Sequence, residues 1–327
     1  MENTTNQDKS KNHTRNGLYQ TMWRWHFYAG IIFAPFLIIL AFSGAVYLFK
    51  PQIESFIYKD LYYVEETNAA TLSVNAHAEK VRAQYPDAVI TGVSVFDEED
   101  RTFKFSTMQD GQAVNVFVDP YSGKVLGDLP VEKELMTVFM KLHSELLVGG
   151  TVANRLVELA ACWAIILILT GLYIWWPRNR ASIWGTVLPR LRSKGRVFWR
   201  DMHAVPAFWL SIGLLVLILT GLPWSGVMGE QINRIATATN TGYPAFSFAF
   251  GPKPESVTVT KDVAEDVPWA AENTPVPESV NNQYVPLTLN EAAGIAEMKN
   301  IQKPYTISMP QGETGVFTIA TSHSKPF

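Results

Sequence analysis

The sequence predicts an α-helical integral membrane bundle carrying α+β extracytoplasmic domains. Three observations predict it. Apolar runs over roughly 26–49, 155–176 and 204–229 carry no charge at their centres, and each is long enough to cross the ~30 Å hydrocarbon core as a helix. Aromatic residues cluster at the ends of these runs, among them Trp23, Trp25, Tyr47, Trp175, Trp176 and Trp224, where rings favour the membrane–water interface. The segments between the runs alternate in charge. Residues 51–154 hold sixteen acids against eight bases, whereas the stretch between the second and third runs holds seven arginines and lysines against Asp201 alone.

Composition agrees. Of 327 residues, 47% are hydrophobic and 17% charged, and the apolar residues are gathered into the runs, which excludes a single soluble domain. The single cysteine, Cys162, excludes an intrachain disulfide, a Cys-based metal site and a c-type haem attachment. The basic loop reads as positive-inside charge and not as a nucleic-acid surface. This orients the chain in a bacterial-type plasma (inner) membrane, with the N-terminus cytoplasmic and the main domains outside.

In order, residues 1–22 are rich in Asn, Thr and Lys and predict a disordered cytoplasmic tail. About twenty polar residues before the first run are too many for a cleavable signal, so the first run remains as an anchor. Residues 23–50 form the first membrane helix. Residues 51–140 predict an α+β domain, with a helix over Leu72–Tyr85 capped by Asn75 or Ser73 and stopped by Pro86. Alternating strands follow at Val89–Phe96, Thr102–Ser106 and Val114–Val118, and Asp119-Pro120-Tyr121-Ser122-Gly123 makes a turn. The acidic tip Asp97-Glu98-Glu99-Asp100 reads as a solvated hairpin turn. Residues 141–177 hold the second membrane helix and a preceding outer segment with His143. A basic cytoplasmic loop spans 178–200, and the third helix 201–229. Residues 230–284, rich in Pro, Thr, Asn and Gly, predict an extended extracytoplasmic linker. Residues 285–327 echo the first outer domain: Leu287–Ala293 repeats Leu72–Ala78, and Val316–Ala320 repeats Thr102–Ser106. This predicts the start of a second, incomplete domain, with a fourth membrane helix missing from the chain.

The helices repeat as well. Trp25-His26 opens the first and Trp199-Arg200-Asp201-Met202-His203 the third, and the distance from His26 to Ser43-Gly44 equals that from His203 to Thr220-Gly221. A single histidine at a helix end is usually an interfacial residue with a wet tip. Two at matched positions point instead to a shared task. Neutral imidazole is a strong iron ligand, and two facing histidines clamp one haem b iron. The small residues Ala29, Gly30, Ala34, Ala204 and Ala207 would let helices and macrocycle approach closely. Arg24 and Arg200, just ahead of the two histidines, can pair with carboxylates or anchor the helices in the headgroups. His77 and His323 read as surface residues.

Trp25-His26, Leu142-His143, the closure Thr170-Gly171-Leu172-Tyr173-Ile174-Trp175-Trp176-Pro177 and the turn Val118–Val125 together resemble the PepSY-associated transmembrane family over roughly 20–230 and 285–320. The resemblance extends to iron-regulated membrane proteins, some similar to ferric-siderophore reductases. It implies four helices, two outer PepSY-type units and two haems. His26 and His203 would then share the cytoplasmic-side haem, and His143 would ligate the outer one with a histidine of the fourth helix.

The function expected is a transmembrane oxidoreductase. It would move electrons from the cytoplasmic side to an extracytoplasmic acceptor such as a ferric chelate or a redox protein. No G-x-G-x-x-G fingerprint marks a built-in dinucleotide site, so the electron donor is external. The alternative is a non-enzymatic PepSY module, anchored by its helices and binding or inhibiting an extracytoplasmic protein partner. There is no HExxH or G-x-S-x-G motif for a protease.

Overall fold

The computed structural model describes residues 2–177, 183–239, 241, 258–263, 273–276, 278, 287–310 and 315–321. Arg178, Arg180, His323 and most of the predicted 230–284 linker lie outside the described residues. In chain order the elements begin with α1 (Glu2–Tyr47), α2 (Lys50–Ile57), α3 (Lys59–Tyr62) and α4 (Val74–Gln84). Four strands follow: β1 (Val89–Val95), β2 (Phe103–Gln109), β3 (Gln112–Val118) and β4 (Val125–Pro130). Then come α5 (Leu135–Glu145), α6 (Gly150–Trp175), α7 (Gly195–Gly221), α8 (Val227–Ala238) and α9 (Thr260–Val263). The last elements are α10 (Leu289–Met298), β5 (Tyr305–Ser308) and β6 (Thr318–Thr321). The chain forms two compact units, residues 1–44 with 141–234 and residues 45–140 with 235–327.

The first unit is helical. Its three apolar spans are Gly17–Tyr47, Gly150–Trp175 and Gly195–Trp224. The shortest has 26 residues, which at 1.5 Å per residue rise about 39 Å, more than a bilayer core requires. Large side chains such as Ile38, Ile212 and Leu217 are exposed on the spans, as lipid contact demands. Their buried faces are small. Ala153, Ala160 and Ala164 are the buried apolar residues of α6, because close approach of helices in lipid depends on small side chains. Rings complete the packing: Phe33 stacks on Trp163 at 5.3 Å and Trp175 on Phe208 at 4.1 Å.

Three boundaries depart from the sequence reading. The backbone is helical from Glu2, so residues 2–22 continue α1 and do not form a separate tail. His143 lies on α5, a helix of its own. The chain then reverses through Leu146 and Leu147, both with positive φ, a conformation that bulky residues seldom adopt. Helix α7 ends at Gly221, because Pro223 has no N–H to continue the ladder. After a single 3-10 turn, Leu222–Trp224, the chain enters α8. The buried Glu158 of α6 fixes this bend, accepting from Ser225 Oγ (3.1 Å) and from the backbone N–H groups of Val227 (3.0 Å) and Met228 (2.6 Å). Its carboxylate satisfies the orphan amides at the start of α8.

The second unit is α+β. One antiparallel sheet runs β4-β3-β2-β1-β5-β6. The two outer segments, read from sequence as separate domains, therefore share a single sheet joined by β1 and β5, with Val93 opposite Ile307. They also share one core of Val81, Val93, Phe105, Val116, Ala292, Ala296 and Ile307. Ser73 caps α4, and Thr288 with Glu291 forms a capping box on α10. Asn75 and Asn290 each accept a hydrogen bond from the other's backbone N–H, at 3.3 and 2.9 Å. This reciprocal pair is the sequence repeat expressed as a local two-fold. The tip at 97–100 is followed by Arg101, whose guanidinium lies over Phe96, Tyr62 and Tyr63 at 4.5–4.8 Å. His77 is fully buried against Phe103, contrary to the surface position expected for it.

Candidate functional site

His26 lies near the start of the first apolar span. Its ring faces His203 on α7 with centroids 6.2 Å apart and planes inclined by 60°. Behind it, Nδ1 is 3.0 Å from Thr170 Oγ1 at the end of α6. Gly171 is the reason the ring fits there. A Cβ at that position would lie 3.0 Å from His26 Cε1, so the ring would have to give way by a few tenths of an ångström. His203 is exposed beside it.

His143 repeats the arrangement at the other end of α1. Its Nδ1 is 2.9 Å from the Leu40 carbonyl and 3.2 Å from Ser43 Oγ. A Cβ on Gly44 would lie 3.0 Å from His143 Cε1. Ser43 is fully buried. Between His26 and Ser43 the helix rises about 26 Å at 1.5 Å per residue, so the two histidine sites stand nearly one hydrocarbon thickness apart. The third Ser/Thr-Gly pair, Thr220-Gly221, holds no histidine among the described residues. Thr220 bonds back to its own helix, at Val216 and Leu217.

The arginines divide. Arg24 is exposed. Arg200 donates to Asp201 at 2.7 and 3.1 Å, and Arg190 reaches the same carboxylate at 2.7 and 3.0 Å. Asp201 is buried under both and pins the 183–193 segment to α7. Trp209 and Trp175 add indole N–H bonds to the carbonyls of Val187 and Thr186. Sequence reasoning found the three histidines and noted the Ser/Thr-Gly spacing. It did not see that Ser43-Gly44 and Thr170-Gly171 each serve a histidine of another helix, because that contact is long-range.

Three apolar spans, an antiparallel α+β unit and histidines at two levels of the helical unit define an integral membrane protein of the helical-bundle class. The chain belongs to the PepSY-associated TM region family, which matches residues 23–314. No curated protein matches it significantly.

Proposed function

We propose that this protein binds haem b and moves electrons from the cytoplasmic side of the membrane to an extracytoplasmic acceptor, a ferric chelate or another oxidised metal or redox protein. The observation that carries the reading is the His26–His203 pair. The two ring centroids stand 6.2 Å apart, a separation that would suit two imidazoles sharing one iron, with metal–nitrogen bonds of about 2 Å. Among the described residues no group of three or more His, Cys, Asp and Glu converges. A two-nitrogen donor set suits the axial positions of a macrocycle, not a four-ligand zinc site.

When bound, a haem ligated this way supplies a reversible one-electron couple whose potential the axial ligands tune. The chain's own residues hold and shield it. Thr170 and Gly171 fix the His26 ring, and the small Ala29 and Gly30 lie one turn further along α1. The exposed Arg24 is available to propionate carboxylates, while Arg200 shares its charge with Asp201. His143, near the opposite end of α1, is the candidate ligand for a second group, since one centre leaves most of the bilayer uncrossed. The basic 183–200 segment orients this end to the cytoplasm. The electron donor is a separate molecule.

The test is a visible spectrum of the detergent-purified chain, oxidised and dithionite-reduced, with pyridine haemochrome quantitation. A b-type spectrum diminished in His203→Ala and in His26→Ala supports the proposal. An inserted, folded chain that binds no haem overturns it and leaves the α+β unit as a binding or inhibitory module for an extracytoplasmic protein.

A further inference from the structure

Thr170 and Ser43 each hold a histidine from another helix, and the direction of their hydrogen bonds is fixed by chemistry. Thr170 Oγ1 already donates its one hydrogen to Ile166 O at 2.7 Å, with Leu167 O at 3.2 Å as a second acceptor. With its hydrogen on the Ile166 carbonyl, it accepts from His26. Ser43 Oγ likewise donates to Ile39 O at 2.8 Å and Leu40 O at 3.2 Å. On His143 the case is closed by the Leu40 carbonyl, 2.9 Å from Nδ1, because a carbonyl has no hydrogen to give. This arrangement favours the proton on Nδ1 of both rings, through the Leu40 carbonyl at His143 and through the Thr170 hydroxyl at His26.

We infer that Thr170-Gly171 and Ser43-Gly44 are two copies of one positioning device, which locks His26 and His143 in the Nδ1–H tautomer and so presents Nε2, with its lone pair, as the metal-binding atom at both levels. Each residue of the pair has its own task. The hydroxyl, held by its own helix, accepts from Nδ1–H. The glycine removes the Cβ that would otherwise strike Cε1 at 3.0 Å. The repeat lies in the pairing of a helix end with a histidine of a different helix, so one structural solution is used twice, about 26 Å apart at 1.5 Å per residue. A hydrogen bond to the distal ring nitrogen orients a ligating imidazole and raises its basicity. Thr170 and Ser43 are thus positioning residues acting through the histidines.

The device has its purpose in the haem reading, but its test does not depend on haem. The full chain, labelled with [15N]histidine, without added haem and in lipid, is examined by 15N NMR at a pH where imidazole is neutral. The His26 and His143 signals are assigned by loss in His26→Gln and His143→Gln. Both should show a protonated Nδ1 and a bare Nε2. Thr170→Val should return His26 towards the Nε2–H form that free imidazole side chains favour, and Thr170→Ser should restore the lock. Ser43→Ala should weaken it at His143 less completely, because the Leu40 carbonyl remains. A wild-type Nε2–H tautomer at either histidine, or an unchanged His26 signal in Thr170→Val, overturns the inference. If haem binds, Thr170→Val should also shift one centre to a more positive potential with haem content retained, and an unmoved potential counts against the device. A correct tautomer in a chain that takes up no haem sinks the proposed function and leaves the lock standing.

Discussion

Thr170 Oγ1 lies 3.0 Å from His26 Nδ1, across two helices and 144 residues of chain. Any side chain on the residue after Thr170 would press on the His26 ring. Gly171→Ala and Gly44→Ala should each unseat one histidine and leave the other in place. Overpacking of this kind costs about 1–3 kcal/mol, or about five- to 150-fold in an equilibrium at 1.4 kcal/mol per decade. If haem binds at both levels as proposed, its content at one of them, resolved in a redox titration, should fall accordingly. Equal loss at both levels would show that the two seats are not independent.

Asp201→Asn should loosen the 183–193 segment from α7. The buried carboxylate receives two arginines and the Arg190 backbone N–H, and Arg190 is thereby held away from proteases. Hydrogen bonds to a charged group contribute about 1.5–3 kcal/mol each when buried, but these arginines are partly exposed and the net effect is smaller. Tryptic cleavage after Arg190 should accelerate several-fold in the variant. Unchanged cleavage would mean that Trp175 and Trp209 hold the segment alone.

Glu158→Ala should destabilise the bend between α7 and α8. It removes the acceptor for Ser225 Oγ and for two amides, and leaves Arg155, 3.2 Å away, without its partner. These donors are only partly buried, so each loses less than the about 1–3 kcal/mol of a fully buried one. A fall of several degrees in the detergent melting temperature is expected, with faster hydrogen exchange at Val227 and Met228. Glu158→Gln keeps an acceptor oxygen and should lose less.

His77 makes the α+β unit sensitive to acid. Burial holds its imidazole below the ordinary value of 6.5, and Asp119 only partly offsets this. Neither ring nitrogen has a hydrogen-bond partner of good geometry. The folded state therefore binds its proton later than the unfolded state. Stability is complete above pH 6.5 and is lost as the pH falls from there through the lower folded value. Protection factors in α4, corrected for the intrinsic pH dependence of exchange, should fall between pH 7 and pH 5.5, and His77→Leu should flatten that fall.

Much of this was legible in the sequence. Long apolar runs and their flanking aromatics have one physical solution in lipid, so the three spans were readable, as were α4 and β1–β3 from their periodicity. The Asp119 turn was readable because its side chain accepts from the Tyr121 and Ser122 amides at 2.8 and 3.3 Å, a local interaction. What escaped was long-range. Nothing near Ser43 announces His143, and nothing near Val93 announces Ile307. The end of the third span was misplaced because Leu222–Met228 stays apolar past Pro223, and the caps that start α8 come from Glu158 on another helix.

The pairing of β1 with β5 has a mechanical consequence. The chain leaves α1 and α8 separately, yet both departures are stitched into one sheet through Gly92–Val95 and Tyr305–Ser308, and the Asn75–Asn290 exchange adds a clasp on the helices. Within the α+β unit, residues far apart in the chain are thus fastened side by side by backbone hydrogen bonds. A backbone cut between Ala238 and Leu287 would yield two fragments that still co-purify, and two such halves expressed from separate messages should find each other through that seam.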